Sequence, residues 1–524
     1  MTNSVIEQEH ETSGQLPQER TKKMWALVAV SVATFLLMLD LTVVNVALPE
    51  IQQSLNATFG ELQWILDSYA LGLAVFVLAS GTLADRFGRK RIFLVGLCVF
   101  IIASLLCGVA GTPQMLIAAR AVQGIAGAVL FAIGPAIIGH AFTGKERGFA
   151  FGVFGGASGI AIAFGPLIGG ALTELASWHW IFLMNVPLGI AALIITGVSM
   201  SESKAEKRVP LDVPGLVTFS VSITALVFAF MRAQELGWTS QEVLVFFAVA
   251  FVFFIAFLFV ETRRGSNAMV DLSLFKTPTM AAFSAVTLIT GATVMASLFL
   301  LISYVQNAWG FSAWETGVRF LPLTLTLCIA AVIAGNLTAT VRPNLLMGLS
   351  STFIAAGLFM TLIAGGEDSS WTALLPSMVL IGLGMGMFNP PRASLSIAVV
   401  EPDKSGMGSG VSETFQQVGV ALGIAALGTI FSSRVSEKFL ESEIAQQLGD
   451  QGHVVAEQVS SGGLGSESTQ QIPDEMLQHI TAAAMDASTD GLHYAMTLAA
   501  IVAVVGAILG FTLIRKKDLF QELV

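Results

Sequence analysis

The sequence predicts an all-α integral membrane protein with fourteen transmembrane helices. First, 54% of its 524 residues are hydrophobic and only 12% are charged, whereas a soluble chain carries charge at about one residue in four. Second, apolar runs of about 20 residues, long enough to cross a bilayer as a helix, recur along the chain. Third, its 51 glycines suit helices that pack closely in lipid. Most of its surface should therefore face lipid.

Charged and turn residues separate the apolar runs and set the order of the helices. The predicted spans are 24–48, 61–83, 91–111, 115–139, 149–173, 180–199, 214–233, 242–260, 279–304, 314–338, 344–364, 372–394, 409–432 and 491–514. Because the number of spans is even, both termini should lie on the same side of the membrane. The polar residues 1–23 are expected to be a disordered tail, and residues 515–524 form a second tail.

The positions of Lys and Arg indicate which side that is. Of 26 such residues, all but five lie in the tails or in the connections on the side of the tails. Cytoplasmic loops carry this excess of positive charge, so both termini should be cytoplasmic in a bacterial inner (plasma) membrane. The net charge of −10 therefore gives no indication about nucleic-acid binding, and no nucleic-acid partner is expected. The five exceptions are Arg120, Arg232, Arg319, Arg434 and Lys438.

An acidic segment, residues 433–490, is the only sizeable part that lies outside the spans, on the outer side. It contains ten acidic residues against two basic ones. Residues 451–471 are polar, with Gly and Ser, and are expected to be flexible. The flanking stretches 434–448 and 473–487 have helical spacing and could form an external hairpin, which is too small to be an enzyme domain.

The connection between predicted helices 2 and 3, residues 81–91, reads GTLADRFGRKR. Its two glycines permit a tight turn, and its cations suit a cytoplasmic loop, although that preference does not explain the acid. This ordered pattern resembles the signature loop of the major facilitator superfamily. The resemblance implies that Asp85, Arg89 and Gly81 are gating residues, which hold the two halves of the protein together at the cytoplasmic face.

A weaker copy of this loop, residues 335–342, reads GNLTATVR. It keeps the glycine and the leucine and lacks the acid, as fused internal repeats would after divergence. The resemblance therefore implies a major facilitator fold with two six-helix bundles. The first comprises residues 24–199 and the second residues 261–514, including the external segment, while residues 200–260 supply a linker and two inserted helices.

Asp40 lies inside predicted helix 1, roughly 24 Å from its start and thus in the outer half of the membrane. An unpaired carboxylate there costs at least about 3 kcal/mol, so it needs a partner or a function such as proton transfer. The surrounding residues 39–49 read LDLTVVNVALP. This run resembles the first-helix motif of the fourteen-helix drug–proton antiporters of the EmrB/QacA type. A purely structural pair with an arginine is the alternative.

Arg120 in predicted helix 4 could be the partner of Asp40. Arg120, Gln123, Gly124 and Gly127 share one face of that helix, and helices 1 and 4 are neighbours in the superfamily. The stretch also resembles the superfamily's helix-4 motif, which is associated with proton coupling. Protonation of Asp40 would free Arg120, which offers a coupling step, with Gln123 in the same site.

Predicted helix 5 combines regularly spaced glycines with a proline inside the span. Pro166 cannot donate to the carbonyl of Ile162 and tends to bend the helix, and the glycines let a neighbouring helix come close. The run GPLIGG that begins at Gly165 resembles the helix-5 antiporter motif of exporters. The resemblance assigns Gly165, Pro166, Gly169 and Gly170 to that motif, whereas glycine-rich packing alone is the alternative.

Predicted helix 13 carries a polar stripe that should face a cavity or another helix rather than lipid. Glu413 is a second candidate for proton or cation binding, with Gln416 and Gln417 beside it, although a place near the inner end would also allow interfacial solvation. Asp67 in helix 2 and Arg319 in helix 10 are further candidates near the outer ends.

Together these motifs imply proton-coupled efflux of small amphipathic or cationic compounds by alternating access. We expect no cofactor and no metal, because the proton gradient would be the energy source. The expected partners are the small-molecule substrate, protons and the lipid bilayer, and an accessory periplasmic partner is left open. A dedicated exporter of one endogenous metabolite or self-made antibiotic would carry the same motifs. A membrane enzyme or a receptor is disfavoured, since the sequence offers neither an intramembrane Asp–His pair nor a cytoplasmic output domain.

Overall fold

The computed structural model describes residues 2–520 apart from 58, 143, 204–211, 266–267, 269, 312, 339, 364–369, 402–403 and 461–473, and this part of the chain is almost entirely helical. The helices are α1 (Thr2–Leu55), α2 (Phe59–Phe87), α3 (Arg89–Gly108), α4 (Pro113–Ala141), α5 (Gly144–Leu175), α6 (His179–Leu183), α7 (Asn185–Ser199), α8 (Val213–Leu236), α9 (Gln241–Arg264), α10 (Pro278–Asn307), α11 (Ala313–Arg319), α12 (Leu321–Leu337), α13 (Pro343–Met360), α14 (Leu375–Ala398), α15 (Ser405–Leu440), α16 (Glu443–Leu448), α17 (Asp450–Ser460) and α18 (Asp474–Leu513).

Each of the fourteen predicted spans falls on one of these helices or on two consecutive ones. Within the described part of the chain, eleven helices are long and apolar enough to cross a membrane, and two bent pairs raise that number to thirteen. The remaining span, 314–338, corresponds to α11 and the shorter α12. Pro322 lies in the first turn of α12, where its missing N–H breaks no helical hydrogen bond.

Two six-span bundles make up the body of the protein. The first contains α1–α7, in which α2 packs on α4 and α1 packs on α5 and α7. The second contains α10–α15 and α18, in which α12 packs on α14 and α10 packs on α15. The bundles contact each other mainly through α2 with α15 and α5 with α12. We call the end that carries residues 81–91 the inner end, and the end that carries residues 433–490 the outer end.

The inserted helices α8 and α9 pack on each other beside the two bundles. The α9 helix leaves Phe251 and Phe259 exposed, as expected for a helix that faces lipid on most sides. The ring of Phe228 in α8 lies 5.1 Å from that of Trp64 in α2. The pair therefore contacts the first bundle, and α8 also contacts α15 of the second.

The structure differs from the sequence prediction at the N-terminus. The α1 helix begins at Thr2, whereas residues 1–23 were expected to form a disordered tail. Glu and Gln are good helix formers, and a segment that continues a membrane helix needs no new helix nucleus. The first membrane helix therefore continues into the polar residues that precede it.

The acidic outer segment is more regular than expected. The α15 and α18 helices both extend beyond the predicted spans, as the external hairpin required, but residues 451–460 belong to α17 rather than to a flexible linker. Val455 and Val459 of α17 are buried in a small apolar core with Phe439 of α15 and Ile480 of α18. The spacing of these valines on one helix face explains why the segment is helical. Residues 461–471 lie outside the described part of the chain.

Candidate functional site

At the inner end, the two bundles meet through the side chain of Asp85. Its Oδ1 accepts a hydrogen bond of 3.2 Å from the amide of Gly406, and its Oδ2 accepts one of 3.1 Å from the amide of Met407. Both amides lie in the first turn of α15, where N–H groups have no partner within the helix and the helix dipole favours negative charge. A carboxylate of the first bundle therefore caps a helix of the second.

Arg89 holds Asp85 in this position. Its Nη2 lies 2.7 Å and its Nε 3.1 Å from Asp85 Oδ1, and both side chains are buried. The chain turns between α2 and α3 at Gly88, whose φ of +107° favours glycine. The sequence predicts Asp85 and Arg89 at a contact between the halves, and the structure brings them to such a contact.

Gly81 and Gly335 occupy corresponding places in the two copies of the loop. A Cβ on Gly81 would overlap the carbonyl oxygen of Gly406 near the start of α15, and a Cβ on Gly335 would overlap that of Gly148 near the start of α5. Each copy has therefore kept its glycine where the backbone of the opposite bundle comes closest. The second copy contains no acid, so no carboxylate of that loop caps α5 as Asp85 caps α15.

The segment that leads to the inserted helices supports the same loop. Oε1 of Glu202 accepts a hydrogen bond of 3.1 Å from the amide of Lys90, and Oε2 accepts one of 3.2 Å from the amide of Arg91. These amides belong to the first turn of α3, so Glu202 caps that helix. Glu202 could not be predicted from the sequence, because nothing nearby in the sequence identifies its partner.

An ion pair at the inner end secures the start of α15 within its own bundle. Lys404 Nζ lies 3.3 Å from Oδ2 of Asp271. Burial raises the pKa of Asp271, but hydrogen bonds from Ser273 and Lys404 outweigh that effect and hold the pKa below its usual range. Asp271 therefore stays charged at neutral pH, and this ion pair weakens only as the pH falls into the acidic range.

Asp40 and Arg120 form a fully buried ion pair between α1 and α4. Nη1 of Arg120 donates to Oδ2 of Asp40, and each residue is 1% exposed. The Nε of Arg120 also donates to the carbonyl of Ile65 in α2 over 3.3 Å. The predicted meeting of the two side chains is confirmed, and their burial excludes solvation by bulk water in this conformation.

Polar side chains from two more helices complete this cluster. Gln123 Nε2 donates to Asp40 Oδ1 over 3.1 Å and to Ser104 Oγ of α3 over 2.8 Å. Asn185 Nδ2 at the start of α7 donates to the same Asp40 Oδ1 over 3.1 Å. Gln123 was predicted for this site, whereas Ser104 and Asn185 were not. A lone amide at the edge of an apolar span was the signal that could have identified Asn185.

The guanidinium of Arg120 also stacks on an aromatic ring. Its carbon lies 4.0 Å from the ring centre of Tyr69, a distance at which a desolvated cation–π contact contributes about 2 kcal/mol. The Tyr69 hydroxyl donates to the carbonyl of Leu37 over 3.4 Å. Tyrosine is scarce in this chain, with three residues against 36 Phe, so a buried tyrosine in helix 2 could have been singled out from the sequence.

The glycines of α5 face α1 close to Asp40. A Cβ on Gly165 would overlap Oγ1 of Thr42, and one on Gly169 would lie 2.8 Å from the carbonyl of Val43. The segments of α5 on either side of residues 163–166 are inclined by 47°, in agreement with the bend predicted at Pro166. The side chain of Pro166 lies outside the described residues. Gly170 lies in the same helix, half-buried.

A second buried ion pair joins α14 and α15 in the other bundle. Arg392 Nη1 lies 2.8 Å from Oε1 of Glu413 and 3.1 Å from Oγ of Ser412. Glu413 is 1% exposed, so the interfacial solvation considered for it is wrong. The sequence prediction also counted Arg392 as a cytoplasmic anchor, but it lies inside α14 and is buried. Its position in an apolar run was the signal for a partner inside the membrane.

Polar atoms beside this second pair lack partners within the described part of the chain. Glu413 Oε2 and Gln416 Oε1 are buried acceptors without a hydrogen-bond donor, and Arg392 Nε is a buried donor without an acceptor. Buried polar groups are normally satisfied. This pair therefore has unused capacity to bind a proton, a cation or water.

Three predicted residues remain: Arg319, Gln417 and Asp67. Arg319 is held at the outer end, where its guanidinium carbon lies 3.7 Å from the ring centre of Phe311 and its Nη1 donates to the carbonyl of Glu315 over 3.0 Å. Gln417 is half-buried on α15. The side chain of Asp67 lies outside the described residues.

Comparisons with known proteins agree with this architecture. The family model of the Major Facilitator Superfamily matches residues 30–424. The chain is 32% identical over 414 residues to the multidrug resistance protein Stp of Mycobacterium tuberculosis, covering 78% of this chain and 76% of that protein. It is 31% identical over 411 residues to the tetracenomycin C resistance and export protein of Streptomyces glaucescens, covering 78% and 76%. The solved proton:xylose symporter XylE has the same fold, with a TM-score of 0.62, 11% identity and coverage of 95% and 97%.

Proposed function

The chain belongs to the major facilitator superfamily, and we propose that it exports small amphipathic or cationic compounds, including antibiotics, in exchange for protons. Its relatives include a multidrug resistance protein and an antibiotic export protein, which supports drug efflux as the transport function. The buried Asp40–Arg120 pair is the observation that carries the proton-coupled part of the proposal. The Lys and Arg distribution supports a cytoplasmic inner end.

Asp40 is the proton carrier in this proposal. In the conformation described here, its negative charge is balanced by Arg120 and hydrogen-bonded by Gln123 and Asn185. A proton that reaches Asp40 from the outer side removes the charge that Arg120 neutralises. Since a low-dielectric environment magnifies both the attraction and the cost of an unpaired charge, the freed guanidinium must find new partners or water.

Contacts along α1 and α5 offer a way for this change to reach the opposite bundle. Thr42 and Val43, which follow Asp40, pack on Gly165 and Gly169 of α5. Closer to the inner end of α5, Gly159 packs on Leu327 of α12. A rotation or shift of α1 upon release of the ion pair would therefore act on α5 and, through it, on the interface between the bundles. Close packing leaves such an interface few intermediate arrangements.

The Asp85 contact supplies the inner gate. When the inner ends are together, Asp85 caps α15, and in this proposal that contact closes the path to the cytoplasm between α2 and α15. Opening toward the cytoplasm requires this carboxylate to leave the amides of Gly406 and Met407. Each charged hydrogen bond contributes about 1.5–3 kcal/mol. That energy favours the conformation closed at the inner end and still allows the open one to form.

Glu413 is the second candidate for proton or cation binding. Its paired oxygen contacts Arg392, while its other carboxylate oxygen and Gln416 Oε1 have no donor in the described structure. Two acceptors without donors suit a positively charged group better than a neutral one. In this proposal Glu413 supplies the affinity for cationic substrates, and Asp40 supplies the coupling.

Growth of a drug-sensitive bacterial host that expresses the chain tests export directly. We expect the wild-type protein to raise the inhibitory concentrations of several lipophilic cations and antibiotics. Asp40→Asn, at equal membrane abundance, should lose that protection because it can neither carry the proton nor pair with Arg120. Protection that is equal in both strains would exclude Asp40 as the coupling acid.

The same screen separates broad export from a dedicated exporter. The name of the relative from Streptomyces glaucescens mentions one compound, tetracenomycin C. A dedicated exporter with a narrow range of substrates is therefore the second candidate function. Protection against compounds of several unrelated structures would support multidrug export. Protection confined to a single scaffold would favour the dedicated exporter.

A further inference from the structure

Asn185 is a buried amide that touches Asp40 and keeps one of its polar atoms unused. Its Nδ2 donates to Asp40 Oδ1 over 3.1 Å, and the residue is 1% exposed. Its Oδ1 is buried and has no hydrogen-bond partner among the described residues. Buried acceptors are normally satisfied, so this oxygen, beside an acid that must gain and lose a proton, calls for an explanation.

The other polar side chains that contact Asp40 are less available than Asn185 to accept a hydrogen bond from it. Arg120 has only donors. Gln123 directs its Nε2 to Asp40, and its Oε1 already accepts from Arg120 Nη1 over 3.0 Å and from the thiol of Cys107 over 3.6 Å. Asn185 Oδ1 is therefore the acceptor at the Asp40 carboxylate that is not already engaged within the described part of the chain.

Two other titratable side chains, those of Tyr69 and Cys107, lie near Asp40, and both donate hydrogen bonds to other groups. Tyr69 of α2 stacks on Arg120 and donates its hydroxyl to the carbonyl of Leu37. Cys107 of α3 donates its thiol to Gln123. Among the described residues, Arg120 is thus the charged group that contacts Asp40, and Tyr69 and Cys107 direct their hydrogen bonds to other groups.

We propose that Asn185 is a positioning residue that accepts a hydrogen bond from Asp40 when Asp40 is protonated, an inference that rests on the proposed proton-coupled export. A proton from the outer side binds one carboxylate oxygen, and the new O–H group needs an acceptor. Rotation of the Asn185 amide about its Cβ–Cγ bond exchanges Nδ2 and Oδ1 and directs the unused oxygen to that O–H. One side chain then serves both states, as a donor to the carboxylate and as an acceptor from the carboxyl.

The sign of a pH shift distinguishes this role from a simpler one. Asn185→Leu removes one of the two amide donors to Asp40 Oδ1, where Gln123 still donates, whereas it leaves the buried O–H of the carboxyl without an acceptor, which costs the full desolvation penalty of that group. The neutral form is then weakened more, and the pH midpoint of proton-coupled transport should fall by about one unit. If Asn185 served only as a donor to the carboxylate, its removal would raise the midpoint instead.

The test measures substrate-driven proton release against pH in everted membrane vesicles of wild type and Asn185→Leu, with ethidium as the probe substrate. Asn185→Ala is the second variant, in case the larger side chain prevents folding, and it should shift the midpoint in the same direction. Asn344→Leu is the matched control, since Asn344 also begins a helix and donates its Nδ2 to one partner, the carbonyl of Phe511, at the inner end.

A fall of the midpoint in the Asn185 variants, absent in Asn344→Leu, supports the proposal. A rise, or a reduced rate with an unchanged midpoint, overturns it and leaves Asn185 as a donor or as a packing residue. Absence of substrate-driven proton release in the wild type would instead refute the proposed function itself, and release that persists in Asp40→Asn would exclude Asp40 as the coupling acid, so these failures are distinguishable.

Discussion

Asp85 in α2 accepts a hydrogen bond of 3.1 Å from the backbone amide of Met407 in the first turn of α15. The two residues belong to different bundles, so this bond exists only while the inner ends are together. Its donor is a backbone group, which no substitution at Met407 other than proline removes. In the proposed cycle, the inner gate therefore depends on the charge and the position of one carboxylate.

We expect Asp85→Asn to favour the conformation that is open at the inner end. Asparagine keeps one acceptor but places an NH₂ group against an amide that needs an acceptor, and the helix dipole loses its negative partner. The loss of about 1.5–3 kcal/mol would shift the equilibrium about tenfold or more. Spin labels at Phe87 and Leu345, both exposed near the inner end, should show a longer distance in the variant. An unchanged distance distribution would exclude Asp85 as the clamp.

Gly81→Ala should block closure of the inner end by steric overlap. A Cβ at this position would overlap the carbonyl oxygen of Gly406, whereas a Cβ on Gly156 would meet no atom within 4 Å. We therefore expect transport to be lost in Gly81→Ala and retained in Gly156→Ala, with both proteins present in the membrane. Substrate efflux from loaded cells measures the difference, and equal rates would show that the backbones need not approach so closely.

Single and double variants of Arg392 and Glu413 measure how much this ion pair contributes to the stability of the protein. Arg392→Met leaves a buried, unpaired carboxylate and should destabilise the protein by about 3–5 kcal/mol. The double variant Arg392→Met/Glu413→Leu removes both charges and should recover most of that stability. Thermal unfolding in detergent provides the measurement. A double variant less stable than either single variant would show that the pair stabilises the fold outright.

Transport by the stable double variant separates folding from function. Because Glu413 supplies affinity for cations in our proposal, the double variant should bind ethidium at least about tenfold more weakly than wild type. Neutral antibiotics should be exported with little change. An unaltered affinity for ethidium would remove Glu413 from the substrate site and leave it as a structural residue.

Arg120→Lys should uncouple transport although it conserves the charge. Lysine has one donor group on a flexible stem and cannot contact Asp40, Gln123 and the Ile65 carbonyl together while stacking on a ring. We expect proton release to fall by about tenfold or more. Arg263→Lys is the matched control, since Arg263 stacks on Phe259 at the lipid-facing α9 with 4.2 Å to the ring centre. A similar loss in both variants would indicate a general effect on folding.

The spans and the first ion pair could be predicted from the sequence because both follow local rules. Apolar runs long enough for the bilayer locate the helices, and a charge inside such a run must have a partner. Asp40, Arg120 and Gln123 meet as expected, since helix neighbours are known once the superfamily resemblance is recognised. Gly81 and Asp85 reach the opposite bundle for the same reason.

The remaining features depend on contacts between residues distant in the sequence. Glu202 lies in a connection, where a local solvated role is equally compatible with the sequence, and Asn185 is a lone amide in the predicted span 180–199 whose partner the sequence does not identify. Arg392 was counted with the cytoplasmic cations because it lies two residues from the predicted end of its span, and α14 continues to Ala398. The α17 helix was missed because Gly and polar residues outnumber the valines that bury its one apolar face.

Proton release from everted membrane vesicles with an acidic lumen tests the central claim most directly. A pH-quenched dye reports the lumen, and lipophilic cations are added to vesicles with wild-type protein or with Asp40→Asn at equal abundance. We predict dequenching upon substrate addition in the wild type and none in Asp40→Asn. Equal dequenching in both would contradict the assignment of Asp40 as the coupling acid, and no dequenching with any substrate would contradict proton-coupled export.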